Sequence, residues 1–264
     1  MPAFLPMIDA IAAAAEHGLL TFYEIDDIVF DPAHFPPSLD SYAEQISATD
    51  YAAMACGVPL FEHAMSLCDY GIASTATVAG LMAGRVRSGE VIEHHNALGR
   101  LHMAALDLPV PAPAGTEEGD APLTLLYASG TKAHKEDFHE ILEPALAEML
   151  RRHPGRVQVR LVGYFGTLTH LDPDSDAVEI REPVWDFEAY LGLVARADIN
   201  LLGALAAAQL NCQSEIKWME AAMFALPSVV SDTTTHREVI ADGETGFLAA
   251  DTDGFIDALD RLDH

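Results

Sequence analysis

The stretch LTLLYAS at residues 123–129 decides the fold class of this 264-residue chain. It is a mostly apolar run bounded by Gly130, which predicts a buried strand, and a helix is predicted over about 136–152. Alternating strands and helices build a parallel sheet, so residues 123–264 are predicted to form a Rossmann-like, doubly wound α/β domain. The further strands of this part are predicted at 157–163 (VQVRLVG), 177–180, 198–203 (DINLLG), 227–231 and 246–249, and the further helices at 186–196, 213–225, 234–241 and 253–262.

The first part of the chain shows the same alternation in shorter elements. Strands are predicted at 21–25, 70–74 and 90–94, and helices at 3–17, 41–55, 59–68 and 75–83. Between the two parts, DLPVPAPAGTEEGDAP is rich in proline, glycine and acid and has no periodicity, which is typical of a linker. The sequence therefore predicts one α/β domain at 1–106, a linker at 107–122 and a second α/β domain at 123–264.

Charge and hydropathy exclude several functional classes. The chain has 14 basic and 41 acidic residues, a net charge of −27, and half of its residues are apolar. That apolar content excludes a disordered chain. The acidity excludes duplex nucleic acid as a natural partner, because phosphate backbones need a basic footprint, and it disfavours an anionic membrane surface.

Three features indicate the compartment. The cysteines, Cys56, Cys68 and Cys212, are odd in number and lack metal-ligand spacing, which is typical of free thiols in a reducing compartment. The first residues have no basic segment of the kind that begins a signal peptide. The sequence contains no apolar run of about 18 residues, so no transmembrane segment is predicted. We expect a cytoplasmic protein.

The segment SGTKAHKEDF at 129–138 follows the first strand of the second domain. Ligands of such sheets bind outside the carboxyl ends of the strands, and a glycine turn lets backbone N–H groups approach an anion. Lys132 and Lys135 would add positive charge there. The segment has neither P-loop nor GxGxxG spacing. It is either an anion-binding turn or an ordinary turn with solvated lysines.

The segment NCQSEIKWME at 211–220 follows another predicted strand. Helical spacing places Asn211, then Ser214 or Glu215, then Lys217 or Trp218 at successive positions three residues apart, and Lys217 and Glu220 are separated in the same way. The alternatives are a surface ion pair between Lys217 and Glu220 or a site for a phosphate group. All three lysines of the chain fall in this segment and the preceding one, and a diphosphate bound to so acidic a protein needs such cations.

Polar residues also follow two strands of the first domain. Asp26 and Asp27 lie at one strand end, and His95 and Asn96 follow another. Adjacent acids can bind a metal or orient a hydroxyl, but they can equally organise a loop, and the two residues lack DxD spacing. The histidine segment has no third ligand in the sequence, so no metal site is predicted. No motif for a covalent nucleophile is found.

Taken together, several segments resemble a known family. LLYASGTKAHKEDF, VRLVG, ARADINLL, SEIKWMEAAMFALPSVVS and REVIADGETGFL resemble the C-terminal, donor-binding domain of GT-B glycosyltransferases of the family 4 (group 1) type, in order and spacing. YEIDDIVFD, CDYGIAST and HHNAL resemble the latter half of the acceptor-side N-terminal domain. The resemblance implies two Rossmann-like domains of GT-B type, with the N-terminal domain incomplete. Family members begin with further βα units and end with crossing helices, so we expect a chain truncated at both ends.

The family implies an activity. Its members move a sugar from a nucleotide diphosphate-sugar donor to an acceptor, here a saccharide, a lipid or a protein. The resemblance implies a retaining, metal-independent glycosyltransferase of polysaccharide biosynthesis, with the nucleotide-sugar as co-substrate and no further cofactor. Two alternatives remain open: a non-catalytic nucleotide-sugar-binding or scaffold module, and a sugar-nucleotide epimerase, whose acid and base residues are not found here.

The family also implies roles for individual residues. Lys135 matches the lysine that grips the diphosphate, and Glu220 matches the second acid of the E-x7-E motif, which holds the ribose hydroxyls. The first acid of that motif falls on Cys212, where Asn211 or Glu215 would have to substitute. The full set of expected donor-binding residues is Ser129, Gly130, Thr131, Lys132, His134, Lys135, Asn211, Ser214, Lys217 and Glu220. The expected acceptor-side residues are Asp26, Asp27, His95 and Asn96. No catalytic residue is identified.

Overall fold

The computed structural model describes residues 4–42, 46–106, 122–130, 138–203 and 212–262. These residues divide into two compact units. The first takes in the described residues up to Asn96 together with 212–214, and the second the described residues between 97 and 203 and those from Glu215 onward. Residues 97–106, which the sequence assigns to the first domain, group with the second unit because their helix packs there. Of the predicted linker, only residue 122 is described.

The first unit is built on a three-stranded parallel sheet. Strands β1 (Phe22–Ile25), β2 (Tyr70–Ala73) and β3 (Val91–Glu93) lie side by side in chain order. Tyr23 is in register with Gly71, and Gly71 with Val91. Its helices are α1 (Leu5–Glu16), α2 (Ala48–Ser66) and α3 (Ala76–Ala83), with a 3₁₀ turn at Leu39–Tyr42.

The two helices predicted at 41–55 and 59–68 are wrong, because α2 is one continuous helix. It begins at Ala48, where the Ser47 hydroxyl accepts a hydrogen bond from the Asp50 amide. Pro59 lies inside it and removes one backbone hydrogen bond. Buried side chains on both sides of the proline, Val58 and Met65, hold the two halves in one helix.

The second unit is a six-stranded parallel sheet. The strands are β4 (Leu123–Ser129), β5 (Val157–Gly163), β6 (Val178–Arg181), β7 (Ile199–Leu202), β8 (Ser228–Ser231) and β9 (Phe247–Ala249). Their spatial order is β6-β5-β4-β7-β8-β9, which is the doubly wound order 3-2-1-4-5-6 of Rossmann folds. The predicted fold class is therefore confirmed, and the strand order changes direction between β4 and β7.

Helices cover both faces of this sheet. They are α4 (Arg100–Ala105), α5 (Glu143–Arg152), α6 (Phe187–Val194), α7 (Ile216–Ala222), α8 (Thr234–Val239) and α9 (Thr252–Leu262). Successive side chains of a strand point to opposite faces, so Leu125 packs in a cluster with residues of α5 and α9, and Leu126 in a second cluster with residues of α6 and α7. Burial on both faces explains why β4 is mostly apolar.

Two helices of this unit differ from the prediction within the described residues. The one predicted at 136–152 begins, within the described residues, as a π turn at Phe138–Leu142, and α5 follows from Glu143. The one predicted at 213–225 spans only Ile216–Ala222. Its end is set by Ala225, which adopts a left-handed φ of 57° and turns the chain towards β8.

Candidate functional site

The carboxyl ends of β4 and β5 approach each other closely in the second unit. Ser129 is in register with Gly163, and Gly163 has a φ of 132°. A Cβ atom at this position would lie 1.9 Å from the carbonyl oxygen of Ser129, so only glycine fits. Gly130 follows Ser129, and among the described residues, its chain neighbours aside, no atom lies within 4 Å of where its Cβ would be. This strand end lies beside the point where the strand order changes direction, which is where ligands of such sheets bind.

Five of the predicted donor-binding residues lie outside the described residues. They are Thr131, Lys132, His134, Lys135 and Asn211. Of the remaining five, Ser129, Gly130, Lys217 and Glu220 belong to the second unit, and Ser214 groups with the first.

Lys217 reaches the end of β4 from helix α7. Its Nζ donates a hydrogen bond to the carbonyl oxygen of Ala128 at 3.0 Å, which places the ammonium group beside Ser129 and Gly130. Desolvation by the surrounding protein lowers the pKa of Lys217, and the Glu220 carboxylate opposes that shift.

Glu220 is a buried carboxylate one turn further along α7. Its side chain is only 7% exposed, and both oxygens accept hydrogen bonds from side chains of the second unit. Tyr190 donates its hydroxyl to Oε2 at 2.9 Å, and His102 Nε2 lies 3.3 Å from Oε1. Within the described residues no ion pair joins Glu220 to Lys217, so the alternative of a simple surface ion pair does not describe this helix.

Tyr190 donates a hydrogen bond to this carboxylate from a protonated hydroxyl. Burial, the charge of Glu220 and the hydrogen bond itself all raise the pKa of the Tyr190 hydroxyl far above its usual range. The hydroxyl therefore keeps its proton at every physiological pH. Sequence reasoning missed both Tyr190 and His102, because neither follows a strand and neither falls in a motif.

Cys212, at the position of the first motif acid, is a core residue of the first unit. Its side chain is 3% exposed and packs in the cluster that contains Ile25 and Phe30. Burial, with the nearby carboxylates of Asp27 and Asp31, raises the pKa of the thiol to about 11. A neutral, buried thiol cannot take over the hydrogen bonding of a carboxylate.

The predicted acceptor-side residues have contacts inside the first unit. Asn96 donates its amide to Ser214 Oγ at 2.7 Å, which brings together one residue predicted on the acceptor side and one on the donor side. His95 lies 3.2 Å from Glu93 Oε1. Asp27 accepts a hydrogen bond from the Ile28 amide at 2.7 Å, which organises the loop after β1. Asp26 is exposed.

Metal sites and membrane spans are both absent from the described ranges. No group of three or more histidine, cysteine, aspartate or glutamate side chains is arranged to hold a metal ion there. Among the same residues, no helix combines the length and the apolar character needed to span a membrane.

Solved structures show where this fold occurs. The chain is 15% identical to HepE from Anabaena, solved with UDP and glucose, with a TM-score of 0.56 over 97% of this chain and 65% of HepE. It is 16% identical to WaaG, a glycosyltransferase involved in lipopolysaccharide biosynthesis, with a TM-score of 0.57 over 95% of this chain and 70% of WaaG. It is 15% identical to the lipopolysaccharide outer core galactosyltransferase WaaB in its apo form, with a TM-score of 0.51 over 97% of this chain and 69% of WaaB.

At these identities the likeness concerns the fold, and this chain spans about two thirds of the length of the solved proteins. No curated protein matches it at the level of sequence. The family model described as "Glycosyl transferases group 1" matches residues 122–263, which carry the six-stranded sheet, Lys217 and Glu220. Since that match covers more than half of the sequence, the chain belongs to the group 1 glycosyl transferases.

Proposed function

We propose that this chain binds a nucleoside diphosphate-sugar at the carboxyl ends of β4 and β7 and transfers the sugar to an acceptor hydroxyl. The observation that carries the proposal is one helix, α7, which brings an ammonium group to the end of β4 and a buried carboxylate one turn later. Such a nucleotide requires two groups of the protein: a cation that binds the diphosphate and a hydrogen-bond acceptor that binds the ribose hydroxyls. The solved HepE structures with UDP and with UDP-glucose support the donor class.

The diphosphate is the part of the donor whose negative charge the protein must balance. In a chain with a net charge of −27, an anion is bound only where local charge and dipoles overcome the background. Lys217 supplies that charge beside the backbone at Gly130. By family resemblance, the turn residue Thr131 and the lysines Lys132 and Lys135 serve the same group, with His134 beside them.

The ribose is assigned to Glu220. A carboxylate has about four lone-pair positions, and two of those of Glu220 are occupied by His102 and Tyr190. Counting the contacts of the described residues, each oxygen therefore retains one position for a hydroxyl donor. Vicinal ribose hydroxyls match such a pair of acceptors.

The reaction we propose retains the configuration of the sugar and uses no metal. The bond between the anomeric carbon and the β-phosphate oxygen breaks, the acceptor oxygen bonds to that carbon from the same face, and its proton passes to the departing phosphate. Lys217 and the backbone N–H groups at Gly130 stabilise the developing phosphate charge, which is the role that a metal ion has in other transferases.

A thermal-shift titration tests the donor site. UDP, GDP, ADP and dTDP are added separately to wild-type protein, Lys217→Ala and Arg151→Ala; a nucleotide at a hundred times its Kd stabilises by about 2.7 kcal/mol. Arg151 is a surface residue on α5, and its replacement removes the same charge as the lysine variant. We expect one nucleotide to stabilise wild type and Arg151→Ala but not Lys217→Ala. Equal stabilisation of all three proteins would refute the assignment of Lys217.

A second candidate function is a nucleotide-sugar-binding module without turnover. The observation that favours it is Cys212, which replaces the first motif acid and is buried in the apolar core of the first unit. Release of free sugar or transfer from UDP-glucose, UDP-galactose and UDP-N-acetylglucosamine separates the two candidates. Binding without release from any donor favours the module, whereas release that is lost in Lys217→Ala favours the transferase.

A further inference from the structure

Two side chains outside every sequence motif contact the carboxylate assigned to ribose. His102 comes from α4 and Tyr190 from α6, and both are brought to Glu220 within the second unit. The side chain of His102 is 14% exposed, and its ring packs edge-on against Phe187 with a centroid distance of 4.9 Å. These are ordered contacts of a nearly buried group rather than contacts of mobile surface side chains.

The hydrogen bonds of His102 determine which ring nitrogen carries the proton. Its Nδ1 accepts from the backbone N–H of Gly99 at 2.9 Å, so the proton of a neutral ring lies on Nε2. Nε2 faces Glu220 Oε1, and the histidine therefore donates to the carboxylate. Tyr190 donates to the other oxygen, so the two oxygens are each fixed by one donor.

Two donors on opposite oxygens fix the rotation of the carboxylate. The last side-chain torsion of a glutamate has a broad range, so a carboxylate with a single hydrogen-bond donor can rotate about it. A carboxylate with a donor on each oxygen cannot rotate in this way. We infer that His102 and Tyr190 are positioning residues that hold Glu220 in the orientation in which its remaining lone pairs accept the ribose hydroxyls of the donor. This inference rests on the proposed function, because it takes the ribose contact of Glu220 as given.

A competing explanation is that His102 only stabilises helix α4. Its Nδ1 accepts the hydrogen bond from the Gly99 amide that caps the first turn of that helix. Two replacements separate these roles. His102→Asn keeps an acceptor near the position of Nδ1 and is too short to reach Glu220, whereas His102→Gln places an amide nitrogen near the position of Nε2.

The experiment measures ribose recognition directly. Dissociation constants of the full chain are measured by calorimetry for UDP and 2′-deoxy-UDP, and likewise for the GDP and ADP pairs. For the base that binds, we expect wild type to prefer the ribose form by about tenfold, as for loss of one hydrogen bond to a charged group. The preference should fall to near unity in His102→Asn, Tyr190→Phe and Glu220→Gln, and persist in His102→Gln.

The matched control is His153, another partly buried histidine of this unit, whose Nε2 lies 3.2 Å from an oxygen of Asp260. His153→Asn should leave the preference unchanged. If His102→Asn keeps the preference while Glu220→Gln loses it, the positioning role is refuted and the ribose contact stands. If Glu220→Gln keeps the preference, or if no diphosphate binds wild type, the proposed function fails and the inference with it.

Discussion

Replacement of Glu143 by alanine should destabilise the second unit more than any surface substitution. Glu143, at the start of α5, is fully buried, and its carboxylate binds the loop that follows β5. The amides of Thr169, His170 and Leu171 donate to Oε1 at 2.6, 2.7 and 3.1 Å. The Thr169 hydroxyl donates to Oε2 at 3.0 Å, and His139 Nδ1 lies 2.6 Å from the same oxygen.

The size of the effect follows from what the substitution leaves behind. Alanine would leave three backbone amides, the Thr169 hydroxyl and one imidazole without their acceptor. Because Thr169 and His170 are exposed, water can replace part of these bonds, so we expect a loss of about 3 kcal/mol, the lower end for a buried charged network. For a unit of this size that corresponds to a fall in Tm on the order of 10 °C. Calorimetry measures the stability, and hydrogen exchange at 169–171 shows whether the loss begins in that loop.

The same carboxylate predicts a pH dependence. Burial raises the pKa of Glu143, but the hydrogen bonds from His139 and from the three amides outweigh it and lower that pKa below its usual range. An acid with a lowered folded pKa contributes its stability above its unfolded value, about 4.3, and loses it as the pH falls through the folded pKa. The difference in stability between wild type and Glu143→Ala should therefore be full at pH 7 and should shrink below about pH 4.

Glu148 is the control on the same helix. It lies on the surface and is hydrogen-bonded by Arg151 and Arg152, so Glu148→Ala should change Tm much less than Glu143→Ala. A Tm for Glu143→Ala within two or three degrees of wild type would show that the loop amides find other acceptors. In that case the reasoning about buried networks in this loop would be wrong.

Three further outcomes are expected. Gly163→Ala should unfold the second unit or lower its Tm severely, because its Cβ would overlap the carbonyl oxygen of Ser129; an unchanged melting curve would contradict this contact. In native protein at pH 8, iodoacetamide should modify exposed Cys56 and spare Cys212, whose pKa is raised to about 11; mass spectrometry of the peptides shows which thiol reacts. Thr233→Ala removes the hydroxyl that caps α8 and should cost about 1 kcal/mol in urea unfolding, whereas no change would mean that water replaces the cap.

The architecture of the second unit could be predicted from local patterns. The strand at 123–129 is readable because a strand buried on both faces is mostly apolar, and the alternation of strands and helices indicates a doubly wound parallel sheet. The order of the strands in that sheet comes from the structure. The prediction of two helices at 41–55 and 59–68 failed for a physical reason. Pro59 has a strong local penalty, but burial of side chains on both sides of it outweighs the one lost hydrogen bond.

The candidate site was only partly readable. Lys217 and Glu220 could be proposed from their spacing and from the family resemblance, because both lie on one short helix that follows a strand. Their partners could not be proposed. Lys217 binds the backbone carbonyl oxygen of Ala128, and because every residue has such a group, the sequence cannot indicate which one is bound.

The sequence by itself determined an acidic, two-part α/β protein with a doubly wound second half, because hydrophobic periodicity and turn residues act within short windows. It also determined that any anion site must be local, since lysine is confined to two segments. Only the tertiary structure decided that Cys212 belongs to the core of the first unit, and that His102 and Tyr190 meet Glu220. Those contacts join residues far apart in the chain, and their partners are chosen by packing and hydrogen bonding rather than by spacing.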